Sequence, residues 1–172
     1  MNNRQRKTIR HQRWHYDRSG FYFITICTHQ RDHLFDNSEF KAVAEAYWQK
    51  IPGYKSVTRV SLDVWVVMPN HLHGILVIEN EKALADQRPE KTVSGSVGAL
   101  IGAYKSTVTK RINKLQGSQG IKVWQRGYYD HIIRNEQELH AIRQYIIDNP
   151  KRWAEDRENL DAITNKMTHR GT

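Results

Sequence analysis

The sequence has one cysteine, Cys27, so it can build neither an intrachain disulfide framework nor a cysteine zinc cluster. A reducing, intracellular setting is expected. Long apolar runs are also missing. Stretches such as Val64-Trp65-Val66-Val67-Met68 are far too short to span a bilayer, so no membrane partner is expected. The residues before Gly20 are polar and basic, unlike a secretory leader, which points to a cytoplasmic, nucleoid-associated location. Repeats and low-complexity tracts are absent, and 172 residues suit one domain able to bury its own core. Acidic residues are scarce where basic ones gather. Lys and Arg number 27 against 18 Asp and Glu, a net charge of +9.

That excess is segregated. Met1 to Gly20 holds Arg4, Arg6, Lys7, Arg10, Arg13 and Arg18 against Asp17 alone. Lys91 to Tyr129 holds Lys91, Lys105, Lys110, Arg111, Lys114, Lys122 and Arg126 and no acid. The acids sit elsewhere, notably between Glu136 and Asp148 and between Glu155 and Asp161. Two basic segments of this kind predict a surface that tracks phosphates, hence a nucleic-acid partner.

The pattern of elements predicts β-α-β-β-α-β-α. Phe21 to Thr28 is β-branched and aromatic, as a strand should be. From Ser38 to Ile51, Phe40, Val43, Ala44, Tyr47, Trp48 and Ile51 share a helical face that Pro52-Gly53 ends. Ser61 to Met68 reads as a strand with Leu62, Val64, Val66 and Met68 on one side, joined by Pro69-Asn70 to a strand from His71 to Glu79. Asn80 to Thr92, with Pro89, reads as a loop. Val93 to Leu115 carries Val97, Leu100, Ile101, Tyr104, Val108, Ile112 and Leu115 as a helical stripe, opposite Lys105, Lys110 and Lys114. Ile121 to Ile133 is strand-like in places. Asn135 then opens a helix, with Glu138 placed as in a capping box, and Pro150 closes it. This order fits an α+β fold: a ferredoxin-like (RRM-like) antiparallel sheet with helices packed on it and an added C-terminal helix. The expected divisions are an arm over 1–20, a domain over 21–152 and a tail over 153–172.

Two features could carry chemistry. His71 and His73 are two apart on a strand, so their imidazoles project from one face, as two cis ligands of a metal would, while Leu72 points into the core. Read separately, they are equally two strand histidines without a ligand role. Tyr145 and Asn149 are i and i+4 on the last helix, hence on one face. Read separately, Tyr145 packs beside Leu139, Ile142 and Ile146, and Asn149 ends the helix. His131, Arg134 and Lys105 are weaker candidates to face the site, and His131 equally reads as a satisfied sheet histidine.

Together these features resemble the HUH endonucleases, and more closely their single-tyrosine transposases of the REP-associated type. The resembling pieces are Tyr22-Phe-Ile-Thr-Ile-Cys27, Trp65-Val-Val-Met-Pro-Asn-His-Leu-His-Gly74, Tyr104-Lys105-Ser106, Trp124-Gln-Arg-Gly-Tyr-Tyr-Asp-His131 and Tyr145-Ile-Ile-Asp-Asn-Pro150, in the family's order. The resemblance implies that His71, His73 and Asn149 hold a divalent cation and that Tyr145 is the nucleophile. Tyr128 and Tyr129 are rival phenols without an amide partner at i+4. Imidazole, amide and phosphate oxygen together suit Mg2+ or Mn2+. The partner implied is single-stranded DNA bearing a hairpin, cut through a 5′-phosphotyrosine intermediate and rejoined, by a monomer or a homodimer. Arg4, Arg6, Lys7, Arg10, Arg13, Lys105, Lys110, Lys114 and Arg126 are the expected DNA contacts; Trp14, Tyr16, Trp124 and Tyr128 could stack on bases, although each taken singly reads first as a packing residue. The alternatives are a domesticated, non-catalytic DNA- or RNA-binding protein on the same fold, and a hydrolytic metal nuclease that uses water in place of Tyr145.

Overall fold

The computed structural model describes residues 19–54, 59–79, 96–118 and 120–153. The arm contacts Arg4, Arg6, Lys7, Arg10 and Arg13, the aromatics Trp14 and Tyr16, the loop from Asn80 to Thr92 and the tail beyond Trp153 lie outside these residues. The elements are β1 (Gly20–Cys27), α1 (Ser38–Gln49), β2 (Arg59–Met68), β3 (His71–Glu79), α2 (Val97–Leu115), β4 (Tyr129–Ile133) and α3 (Glu136–Asp148), with short 3-10 turns at His29–Arg31, Leu34–Asp36 and Ile51–Gly53. Each helix starts on a side-chain acceptor that meets an otherwise unbonded N–H. Asn37 accepts from Glu39 and Phe40, Ser96 from Ala99, and Asn135 from Glu138.

The sheet order is β2-β3-β1-β4, and every neighbouring pair is antiparallel. This is the expected α+β, ferredoxin-like arrangement, with β3 and β1 at its centre. Strand alternation sends side chains to two faces. Tyr22, Ile24 and Ile26 of β1 and Leu72, Leu76 and Ile78 of β3 pack with Trp48 of α1 and Tyr104 of α2 in the main core. The opposite face carries Phe23, Ile75 and Ile133, covered by Leu139, Ile142 and Ile146 of α3. Burying each of those three aliphatic side chains contributes roughly 1.5–3 kcal/mol, enough to seat α3 firmly on the histidine face. That face is therefore a second, smaller core. Leu72 points into the main core as expected, and the histidine side supplies packing as well.

Two further details depart from the expectations, and a third narrows one of them. The β2–β3 register shifts between Leu62 and Trp65, so Leu62 packs toward the main core while Val64 and Val66 pack toward α3. An extra residue in one strand turns the alternation over, and Leu62 leaves the side it was expected to share. Leu115, at the end of the α2 stripe, is 42% exposed, because the helix has by then run past the sheet it covers. Of Ile121 to Ile133, only Tyr129–Ile133 is a strand. Trp124 makes a single bridge to Thr28, and Gly127 takes a φ of +79° that favours glycine.

Candidate functional site

β3 is a central strand, so His71 and His73 have no edge to escape to. His71 is 5% and His73 0% exposed, and their ring centroids are 4.4 Å apart. Asn70 lies within 2.6 Å of His71 Nδ1 through its Oδ1, which can only accept. His71 therefore carries its proton on Nδ1 and a lone pair on Nε2. That Nε2 is buried and receives no hydrogen bond of good geometry. His73 Nδ1 lies 2.8 Å from Thr25 Oγ1, its cross-strand partner on β1. Its Nε2 lies 3.2 Å from the Tyr145 hydroxyl. The tautomer in which Nδ1–H donates to Thr25 leaves the Nε2 lone pair for that phenol or for a ligand. Both imidazoles thus have a polar neighbour behind them, as metal-binding histidines commonly do.

α3 brings the other two predicted residues. Tyr145 sets its ring edge-on to Phe23 at 6.3 Å, and Phe23 stacks on His73 at 5.4 Å. Asn149, the fully buried C-cap of α3, lies beside His71, and its side chain favours the protonated ring. The helix is fastened at two points. Arg143 donates to the Asp63 carboxylate at the β2 irregularity. Near the N-terminus, Glu138 Oε1 meets His131 Nε2 at 2.6 Å and Glu138 Oε2 accepts from Arg134 N–H at 2.8 Å. The capping box is hence completed on Arg134 and His131 rather than on Asn135. His131 is a satisfied sheet histidine, as one of its two readings had it.

The site's charge is set by burial. His71 is pushed down to about 4, first by burial and then by the Arg31 guanidinium, with Asn149 pulling the other way. His73 is driven well below the usual imidazole range by burial, then by His71 and Arg31. Both rings are neutral at pH 7 and can ligate without losing a proton. Two neutral imidazoles, one with a buried lone pair, and an adjacent amide fit a divalent cation. Among the described residues no group of three or more His, Cys, Asp or Glu forms an alternative metal site.

Several neighbours escaped the sequence reading. Thr25 and Asn70 hold the rings. Arg31 charges the site. Trp153, assigned to the tail, sits 5.6 Å from His71 and 5.5 Å from His33 by ring centroids. For Asn70 the signal was its place before His71. For Thr25 it was its alternation with Phe23 and Cys27, which means little until β1 is known to pair with β3.

The remaining predicted residues are not brought to the histidines. Tyr128 packs against the main core, while Tyr129 shares the site face with its edge against Phe23 at 6.3 Å. Trp124 is 8% exposed and wedged between Phe35 and Tyr104, so its ring faces are not offered to a base. Lys105 Nζ donates to Gln125 O and Gly127 O, both at 2.7 Å, and burial lowers its pKa. It ties α2 to the segment after Trp124. Lys110 and Lys114 are exposed on α2, and Arg126 is exposed in the following segment.

An antiparallel sheet that presents two histidines and a helical tyrosine on one face defines a single-tyrosine transposase of the HUH type. The family model described as "Transposase IS200 like" matches residues 19–149, and the chain belongs to that family. A relative from Haemophilus influenzae, described only as an uncharacterized protein, is 35% identical over 91% of this chain and 94% of its own length. A solved REP-associated tyrosine transposase bound to a REP hairpin matches 84% of this chain and 74% of its own, with 19% identity and a TM-score of 0.56. That likeness is one of fold. No helix among the described residues is long and apolar enough to cross a membrane.

Proposed function

We propose that this protein cleaves and rejoins hairpin-bearing single-stranded DNA through a covalent bond to Tyr145. The observation that carries the reading is the convergence of a phenol, two neutral imidazoles and an amide from two distant segments: Tyr145 hydroxyl 3.2 Å from His73 Nε2, and Asn149 beside His71. A purely structural role for these residues would not require two buried imidazoles side by side, one of them with an unused lone pair. A relative in fold bound to a hairpin, and the basic segments of this chain, support the choice of DNA.

His71, His73 and Asn149 would hold Mg2+ or Mn2+, which supplies Lewis-acid polarisation of the scissile phosphate. The Tyr145 hydroxyl lies 3.2 Å from His73 Nε2, and a cation held on that nitrogen would leave the phenol free to act. The phenolic oxygen then forms a bond to phosphorus, the bond from phosphorus to the 3′-oxygen breaks, the phenol proton passes to water and the 3′-oxygen takes one up. The products are a 5′-phosphotyrosine and a free 3′-hydroxyl. Ester is exchanged for ester, so rejoining needs no energy source. Phe23 and α3 hold the phenol over the histidines, and the Arg143–Asp63 pair keeps α3 in register. Lys110, Lys114 and Arg126 would track the strand's phosphates from their exposed positions, with Arg4, Arg6, Lys7, Arg10 and Arg13 adding to affinity.

The test is Tyr145→Phe. Cleavage of a labelled hairpin-bearing strand in Mn2+ should fall by at least about 10³-fold, as when a nucleophile is lost, with DNA affinity little changed. Unchanged cleavage would remove Tyr145 from the mechanism and leave the hydrolytic alternative.

A further inference from the structure

We propose that Arg31 grips the non-bridging oxygens of the scissile phosphate, giving this site a phosphate subsite of its own. The inference rests on the reading of His71, His73 and Tyr145 as a phosphodiester-cleaving centre and deepens it.

The turn that carries Arg31 is unusual. Gln30 and Arg31 adopt φ values of 52° and 59°, and they are the non-glycine residues with positive φ among the described residues. Two successive left-handed residues are costly and persist only where their surroundings over-determine them, most often at functional sites. Here they are over-determined. Arg31 N–H donates to Thr28 O at 3.2 Å. Thr28 N–H donates to Asn70 O at 2.9 Å, and Thr28 Oγ1 lies 2.9 Å from the same oxygen and 2.7 Å from Asp32 O. Asn70 is the residue that also holds His71. The strained turn is thus bolted to the histidine strand itself.

The turn follows Cys27, the cross-strand partner of His71, and so sets the half-buried Arg31 beside the histidine end of the site, where its charge also bears on both imidazoles. No carboxylate among the described residues pairs with it. An imidazole brings no negative charge to balance it, and a divalent cation would add to it. An uncompensated guanidinium in such a place calls for an anion. A phosphodiester brings one negative charge and two non-bridging oxygens, which match the guanidinium fork. Fixed by its turn, Arg31 meets the charge that develops on those oxygens without reorganising.

The experiment uses the full-length protein with Mn2+ and hairpin-bearing single-stranded DNA, carrying at the cut position either the normal phosphate or an uncharged methylphosphonate. On the phosphate, Arg31→Gln should slow single-turnover cleavage about 10²–10³-fold, as expected for losing one preorganised donor. Its DNA affinity and melting temperature should stay close to the wild type. On the methylphosphonate, Arg31→Gln and the wild type should cleave alike. Gln30→Gly, which relieves the turn and keeps the charge, should melt higher and cleave at the wild-type rate. Wild-type cleavage by Arg31→Gln, or an equal penalty on both substrates, would overturn the subsite while leaving the Tyr145 reading intact. Absence of any tyrosine adduct in the wild type would bring down the reading and the subsite with it.

Discussion

Burial keeps His71 and His73 neutral, and that neutrality has a cost in acid. The folded protein holds His71 near 4, whereas an unfolded chain titrates near 6.5. Between those values the unfolded state binds the proton that the folded state refuses. The stability present above pH 6.5 is therefore lost as pH falls toward 4, by about 3 kcal/mol from His71. His73 acts in the same direction. Chelator-treated protein, unfolded in urea at a series of pH values, should show this slope, and His71→Gln should flatten it. Parallel curves for the wild type and His71→Gln would contradict the burial argument. The divalent cation proposed above would need the same neutral rings, so the features that weaken the fold in acid are those that would suit the site to a cation at pH 7.

The β3 strand joins the two cores through Gly74. A Cβ there would lie 2.5 Å from Trp48 Cζ2 and 3.0 Å from Trp65 Cβ. Trp48 is fully buried and stands edge-on to Tyr104, so it cannot step aside. Gly74→Ala should destabilise by about 1–3 kcal/mol, or roughly 2–12 °C in melting temperature, and displace His73 with it. A melting temperature equal to the wild type would show that Trp48 yields. At this scale much was legible from the sequence. Asn135 and Pro150 bracket α3, and His71 to Glu79 is the strand expected, because caps, prolines and period-2 runs are local signals. The β2 irregularity was not legible, since a period-2 reading of Leu62 to Met68 assumes unbroken alternation. The role of Lys105 was not legible either, because a basic residue shows its charge but not its partner. Arg31 was hidden for a related reason. Nothing local in His29-Gln30-Arg31 signals two left-handed residues, which are imposed by Thr28 and Asn70.

In the whole molecule the site is a product of strand order. Placing β3 beside β1 brings Thr25 against His73, and crossing from β4 into α3 lays Tyr145 and Asn149 over the same face. Residues 25, 31, 70–73 and 145–149 meet there, with Trp153 following from the end of α3. Among the described residues, the face opposite is covered by α1 and α2. The direct test of this account is to identify the residue that carries the DNA. Wild-type protein incubated with hairpin-bearing single-stranded DNA and Mn2+ should be digested with trypsin and nuclease and examined by mass spectrometry. The account predicts a nucleotide phosphate on Tyr145 in the fragment from Gln144 to Lys151. An adduct in the fragment from Gly127 to Arg134, which holds Tyr128 and Tyr129, or cleavage with no adduct, would contradict it.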